Sequence, residues 1–245
     1  MSKVVAIIPA RWGSTRFPGK PLHVIAGKPL IQHVWERTCA ASALEAVFIA
    51  TDDMRIAEAA FDFGANVSLT SPEHLSGTDR IAEVAKKLPA TITHVINVQG
   101  DEPVVDPALV NRLAKTLISD LNIPMITAAN PFAAGEDVQN PNAVKVVLDR
   151  ASNALYFSRS AIPFARGKES PAQYYRHQGI YGYSRKFLLE YIRWKPTILE
   201  KTEQLEQLRA LENGAKIRVL ITKKVSIGVD TPEDAELVTA ILKKL

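Results

Sequence analysis

The sequence predicts an α/β fold built on a mostly parallel sheet with helices on both faces, together with a smaller lobe around residues 130–215, in one domain spanning 1–245. Three observations predict it. Apolar runs rich in Val and Ile, at 4–8, 46–50 and 95–98, have the length and unbroken hydrophobicity of strands buried on both faces. Helical stretches of about ten residues or more separate the strands, the spacing that parallel strands need for their crossovers. Beyond residue 130 the alternation gives way to loops and to a segment, 156–178, rich in aromatics, arginines, Pro and Gly.

The first strand delivers residues 9–22, Pro-Ala-Arg-Trp-Gly-Ser-Thr-Arg-Phe-Pro-Gly-Lys-Pro-Leu, to the carboxyl edge of the sheet, where open α/β folds bind ligands. Glycines let backbone approach a ligand, prolines keep the loop stiff, and Arg11, Arg16 and Lys20 supply cations. No Asp or Glu precedes Glu36, so this field is not neutralised locally, and a polyphosphate is the expected guest. The loop is not a P-loop: five residues separate Gly13 from Gly19, and Pro21 stands where a magnesium-binding hydroxyl is required. The dinucleotide fingerprint G-x-G-x-x-G is absent as well.

A helix is expected over 29–41, with Leu30, Val34 and Cys39 near one face, and the strand at 46–50 ends at Thr51-Asp52-Asp53. A helix at 55–63 stops at Gly64, a short strand follows at 66–70, and a helix at 78–88, with its cap at Thr78, stops at Pro89. The strand at 95–98 brings Gln99-Gly100-Asp101-Glu102-Pro103 to the same edge as the basic loop. A helix over 107–121 and a strand over 124–129 complete this half; a loop at 130–142 and a strand at 143–148 open the lobe. There follow a helix at 187–194, one long amphipathic helix at 200–212 with Leu205, Leu208 and Leu211 on one face, a strand at 217–222 and a closing helix at 231–244.

A net charge of +4 without basic runs or aromatic-basic interleaving gives no support for nucleic-acid binding. The single cysteine, Cys39, excludes an internal disulfide and fits a reducing compartment. With neither a signal peptide nor an apolar run of membrane-spanning length, the expected location is the cytoplasm, with no membrane partner.

Asp101, three residues past a fully apolar strand, projects from the sheet edge toward the cationic loop, and a carboxylate beside a polyphosphate reads as a magnesium ligand. The alternative is a turn former before Pro103, a role that suits Glu102 better. Asp230 has two readings: part of a helix start, with Thr231, Pro232 and Asp234, or a second magnesium ligand from the far end of the chain. Ser76-Gly77-Thr78-Asp79-Arg80 reads as a plain helix start or as a loop that recognises a nucleobase. His177, among Tyr174, Tyr175, Tyr181 and Tyr183, is either structural or a contact to sugar or carboxylate, and Glu206-Gln207 falls on the polar side of the leucine-faced helix.

Taken with Ala50-Thr-Asp-Asp53, Asn140-Pro-Asn-Ala-Val-Lys-Val-Val147, Leu155-Tyr-Phe-Ser-Arg159, His177-Gln-Gly-Ile-Tyr-Gly-Tyr183, Leu205-Glu-Gln-Leu-Arg209 and Gly228-Val-Asp-Thr-Pro-Glu-Asp234, these motifs resemble the 3-deoxy-manno-octulosonate cytidylyltransferases, or CMP-Kdo synthetases, from residue 4 to about 236. The resemblance implies a Rossmann-like nucleotidyltransferase fold of the glycosyltransferase-A type, a homodimer, and a Mg2+-dependent reaction of CTP with Kdo that yields CMP-Kdo and pyrophosphate for lipopolysaccharide. It implies that Arg11 and Lys20 bind the triphosphate, that Asp101 and Asp230 bind magnesium, and that the nucleotide set is Ala10, Arg11, Gly13, Ser14, Lys20, Ser76, Gly77, Arg80 and Asp101. Gln99, Arg159, His177, Tyr181, Glu206 and Gln207 then form the sugar-acid pocket. The rival readings are the same chemistry on 8-amino-Kdo or a sialic acid, and a non-catalytic nucleotide-binding module.

Overall fold

The computed structural model describes residues 2–13, 17–167 and 172–243. The chain divides into two compact units, one of residues 1–119 and 226–245, the other of residues 120–225.

In chain order the first unit begins with β1 (Lys3–Ala10), a single 3-10 turn at Lys20–Leu22, a two-residue hairpin of β2 (Val24–Ile25) and β3 (Lys28–Pro29), and α1 (Leu30–Cys39). It continues with β4 (Ala46–Thr51), α2 (Met54–Asp62), β5 (Asn66–Leu69), α3 (Gly77–Lys87), β6 (Ile92–Asn97) and α4 (Pro107–Ser119). The second unit holds β7 (Met125–Pro131), β8 (Lys145–Leu148), β9 (Ala154–Ser158), β10 (Tyr175–Ser184), α5 (Arg185–Tyr191), α6 (Ile198–Glu203), α7 (Leu208–Glu212) and β11 (Ile217–Ile221). The chain then returns to the first unit for α8 (Pro232–Leu242).

In the first unit the strands run β6-β1-β4-β5, every pair parallel. Val4, Val5, Ile7 and Ile8 of β1 are all at most 1% exposed, as a central strand covered on both faces requires. Leu30, Ile31 and Val34 of α1 and Ile81, Ala82 and Ala85 of α3 are buried with them. Each buried Val, Leu or Ile contributes roughly 1.5–3 kcal/mol. The topology also locates a site. From β1 the chain steps through α1 to β4 on one side, and from β5 it returns through α3 to β6 on the other, so the strand order reverses at β1. Ligands bind beyond the carboxyl ends of the strands at such a reversal.

The second unit is mainly antiparallel: β7 pairs antiparallel with β10, β10 with β8 and β8 with β9, and β11 lies parallel to β7.

Three local expectations need correction. Thr38, not Cys39, takes the buried place at the end of α1, and Cys39 is exposed. The cap of α3 is Ser76 rather than Thr78: the Asp79 N–H donates to Ser76 Oγ and the Ser76 hydroxyl donates to Asp79 Oδ2. The single helix expected over 200–212 is two short helices, α6 and α7, broken at Gln204, which has φ +52°. The break has a partner. Arg159 Nε donates to Glu203 O at 2.7 Å and Nη2 to Gln204 O at 3.3 Å, and a continuous helix would spend these carbonyls on the N–H groups four residues on.

Candidate functional site

At the reversal point lies an open cleft of about 330 Å³, a size that holds a small ligand. The end of β1 supplies Pro9, Ala10 and Arg11, and the turn after β6 supplies Gln99, Gly100 and Asp101. His74, Leu75, Ser76, Gly77 and Arg80 come from the loop before α3 and its first turn, Lys20 and Pro21 from the 3-10 turn, and Asp230 from the segment before α8. Gly100 is forced by packing: a Cβ there would lie 2.6 Å from the Pro9 carbonyl oxygen, so any side chain drives the Asp101 turn away from β1.

The centre of the cleft is an ammonium held by oxygens. Lys20 Nζ donates to Asp101 Oδ2 at 2.8 Å, to Val229 O at 2.7 Å and to Asp230 Oδ1 at 3.2 Å. Gly19 lets the loop turn here with φ +71°; it packs against the Trp12 ring, over which the Arg55 guanidinium lies 3.5 Å from the centroid. The Val229 N–H donates to Asp101 O at 2.8 Å, which ties the late segment to the β6 turn. Helix start and site are separable at Asp230. Thr231 and Asp234 form the capping box of α8, while the Asp230 side chain takes Lys20.

Two carboxylates and a carbonyl already surround a cation, and hard oxygens of this kind suit magnesium, which completes its shell with phosphate oxygens and water. Among the described residues no cluster of three or more His, Cys, Asp or Glu is placed to hold a metal, so a divalent ion here would draw on this pair and on the ligand.

Next to Asp101, Glu102 is buried; desolvation pushes its carboxyl up to about 7, the Asp101 charge adds to this, and the hydroxyl of Ser226, donating to Oε2 at 2.6 Å, opposes it. Arg80 is buried as well, donating from Nη1 to Thr70 Oγ1 at 2.6 Å and pairing with Asp52 at 3.1 Å. His74, for which the sequence predicts no role, faces Glu83, with Nε2 2.6 Å from Oε2. A carboxylate accepts, so Nε2 carries the proton in this pair. The available signal was its place two residues ahead of Ser76.

The cleft thus gathers Ala10, Arg11, Lys20, Ser76, Gly77, Arg80, Gln99, Asp101 and Asp230. Gly13 is exposed and does not line it. Ser14 and Arg16 lie outside the described residues. Gln99 belongs to this cleft of the first unit, whereas Arg159, His177, Tyr181, Glu206 and Gln207 belong to the second.

A chain of contacts connects three of them, His177, Tyr181 and Glu206. The Phe157 ring meets His177 edge-on at 4.9 Å, His177 meets Tyr181 at 5.4 Å, Tyr181 stacks on Tyr183 and Tyr183 meets Tyr191. The Tyr191 hydroxyl donates to Glu206 O at 2.6 Å. His177 Nε2 lies 3.0 Å from Thr127 Oγ1, and desolvation pushes the ring's pKa down to about 3, so it is a neutral hydrogen-bonding group. Glu206 and Gln207 occupy the link between α6 and α7, not the solvated face of one helix, and Gln207 Nε2 is buried without a hydrogen-bond partner among the described residues. Arg159 gives Nε to Glu203 O, Nη1 to Pro141 O and Nη2 to Gln204 O. Of five guanidinium N–H bonds that leaves, among the described residues, one on each terminal nitrogen without a protein acceptor, and a carboxylate can accept from both terminal nitrogens.

A family model described as Cytidylyltransferase matches residues 5–217. The chain is 51% identical over 241 residues to the 3-deoxy-manno-octulosonate cytidylyltransferase of Pelobacter propionicus, covering 94% of each chain. It is 48% identical over 252 residues to that of Geobacter metallireducens, covering 99% of this chain and 98% of the relative. Among solved structures, CMP:2-keto-3-deoxy-manno-octonic acid synthetase complexed with CTP matches with a TM-score of 0.94 and 42% identity over 99% of both chains. A cytidylyltransferase from Leptospira borgpetersenii, 18% identical with a TM-score of 0.68, shares the fold.

Proposed function

The chain belongs to the 3-deoxy-manno-octulosonate cytidylyltransferase family, and from that premise we propose that it transfers CMP from CTP to the 2-hydroxyl of Kdo, giving CMP-Kdo and pyrophosphate. The observation that carries this reading is the match over 99% of both chains to a synthetase complexed with CTP.

The reaction joins two anions, so the protein's task is to neutralise and align them. In our reading Arg11 and Lys20 bind the triphosphate and stabilise the departing pyrophosphate. Lys20, which pairs with Asp101 and Asp230, would exchange these carboxylate partners for phosphate oxygens. Ser76, Gly77 and Arg80 border the cytidine, with Asp52 and Thr70 holding the Arg80 guanidinium in place. Asp101 and Asp230 would hold Mg2+, which supplies charge neutralisation at the α-phosphate and lowers the pKa of the attacking hydroxyl. Arg159 takes the Kdo carboxylate on its two remaining N–H bonds, and neutral His177, Tyr181, Glu206 and Gln207 recognise the sugar hydroxyls.

A cytoplasmic homodimer that supplies lipopolysaccharide synthesis fits this activity. No helix among the described residues is long and apolar enough to cross a membrane. The test is product analysis: CTP, Kdo and Mg2+ incubated with the protein should give a species with the mass of CMP-Kdo and a phosphodiester phosphorus resonance, and chelation should abolish it. Formation of CMP without the diester would refute the transfer.

A further inference from the structure

Lys145 opens β8 in the second unit. Its side chain is fully buried in β8, with residue partners Ser158 on one side and Arg176 on the other. Burying an ammonium costs several kcal/mol unless geometry compensates, and here the hydrogen-bond partners are neutral carbonyls rather than carboxylates. Nζ donates to Asn140 O at 3.0 Å and to Arg159 O at 2.5 Å. Desolvation lowers its pKa, an effect that the charges of Asp137 and Glu203 oppose and that of Arg159 reinforces.

Those two carbonyls belong to the two ends of one device. Arg159 carries the guanidinium, and Asn140 precedes Pro141, whose carbonyl accepts Nη1 of that guanidinium at 3.0 Å. The other side is closed by Glu203, which accepts the Arg159 N–H on Oε2 at 2.9 Å and the Ser158 hydroxyl on Oε1 at 2.6 Å, and whose carbonyl, with that of Gln204, takes Nε and Nη2. The ammonium thus ties the backbone that bears Arg159 to the turn that aims it.

We propose that Lys145 is a positioning residue for the sugar acid: by pinning Asn140 and Arg159 it directs the two remaining guanidinium N–H bonds of Arg159 at the substrate carboxylate. This rests on the assignment of Arg159 to that carboxylate. A bidentate pair is sensitive to angle, and a displacement of about 1 Å costs up to about a hundredfold.

The experiment is steady-state kinetics on the full chain for Lys145→Met, Arg159→Ala and the double variant, each with CTP and Kdo varied separately and a melting curve recorded. Lys145→Met should raise the KM for Kdo about tenfold and leave the KM for CTP within about twofold. In the Arg159→Ala background it should add little, because both act through one guanidinium. Lys145→Gln, neutral and one bond too short to span both carbonyls, should give the same Kdo-selective rise and serves if the methionine variant does not fold. A KM for Kdo that rises in Arg159→Ala but not in either Lys145 variant overturns the proposal alone. Equal losses for both substrates, or full additivity, overturn it too by making Lys145 merely structural. An unchanged KM for Kdo in Arg159→Ala overturns the assignment of Arg159 together with the proposal.

Discussion

Lys20 Nζ lies 2.8 Å from Asp101 Oδ2 and, from the same position, 3.2 Å from Asp230 Oδ1, so the cation between the two acidic residues is the protein's own. Removing it leaves two carboxylates and the Val229 carbonyl facing one another. Lys20→Met should therefore lower the ligand-free melting temperature by about 2–4 °C, the equivalent of roughly 1 kcal/mol in a chain of this size, and added Mg2+ should restore it. The wild type should respond much less to Mg2+ without CTP. A Lys20→Met protein whose melting is indifferent to Mg2+ would remove the metal role from this pair.

Asp230→Asn separates the two readings of that residue. The helix start is carried by Thr231 and Asp234, so the apo melting temperature should barely move. If the carboxylate holds magnesium, turnover should fall by a hundredfold or more, as removal of a charge that stabilises the transition state does. Near-normal turnover would leave Asp230 as a surface partner of Lys20.

Gly100→Ala tests the close approach of the β6 turn to β1. With its Cβ 2.6 Å from the Pro9 carbonyl oxygen, the turn must shift, at a cost of roughly 1–3 kcal/mol. Because Asp101 follows directly, the KM for CTP should rise with the loss of stability. Wild-type kinetics together with an unchanged melting curve would contradict the geometry.

His177 sets an acid limit. Its pKa in the fold is about 3, below the ordinary imidazole value of 6.5, so the unfolded chain binds the proton more readily. Its contribution is intact above pH 6.5 and is lost as pH falls from there toward 3, on the order of 2 kcal/mol by pH 5. Chemical denaturation of wild type and His177→Gln across that range checks it: the variant should lose less stability on acidification. Parallel losses would mean that the ring is not held neutral.

How much of this was legible in the sequence follows from which forces are local. The buried strands and the basic loop declare themselves through continuous apolar runs and clustered cations, and the β6 turn followed from its strand. What stayed hidden depends on partners far along the chain. Residues 200–212 carry helical periodicity, yet Arg159 takes the carbonyls of Glu203 and Gln204 and the helix breaks there, at a residue that is neither Gly nor Pro. Ser76 and Thr78 are both able to cap, and the choice falls on Ser76, which reaches Asp79 both ways. His74 is a pocket residue only because the loop before α3 folds against Glu83. At Asp230 local sequence and site coexist, each served by different atoms.

Transfer of CMP from CTP to a 2-keto sugar acid is the activity to test. The most direct measurement is pyrophosphate release with Mg2+, crossing CTP, ATP, GTP and UTP with Kdo, 8-amino-Kdo and a sialic acid. Release should be rapid with CTP and Kdo together and slight when either is omitted or replaced by another nucleotide or by the sialic acid. Efficient release with the sialic acid and none with Kdo, or release from CTP regardless of the sugar, would contradict it.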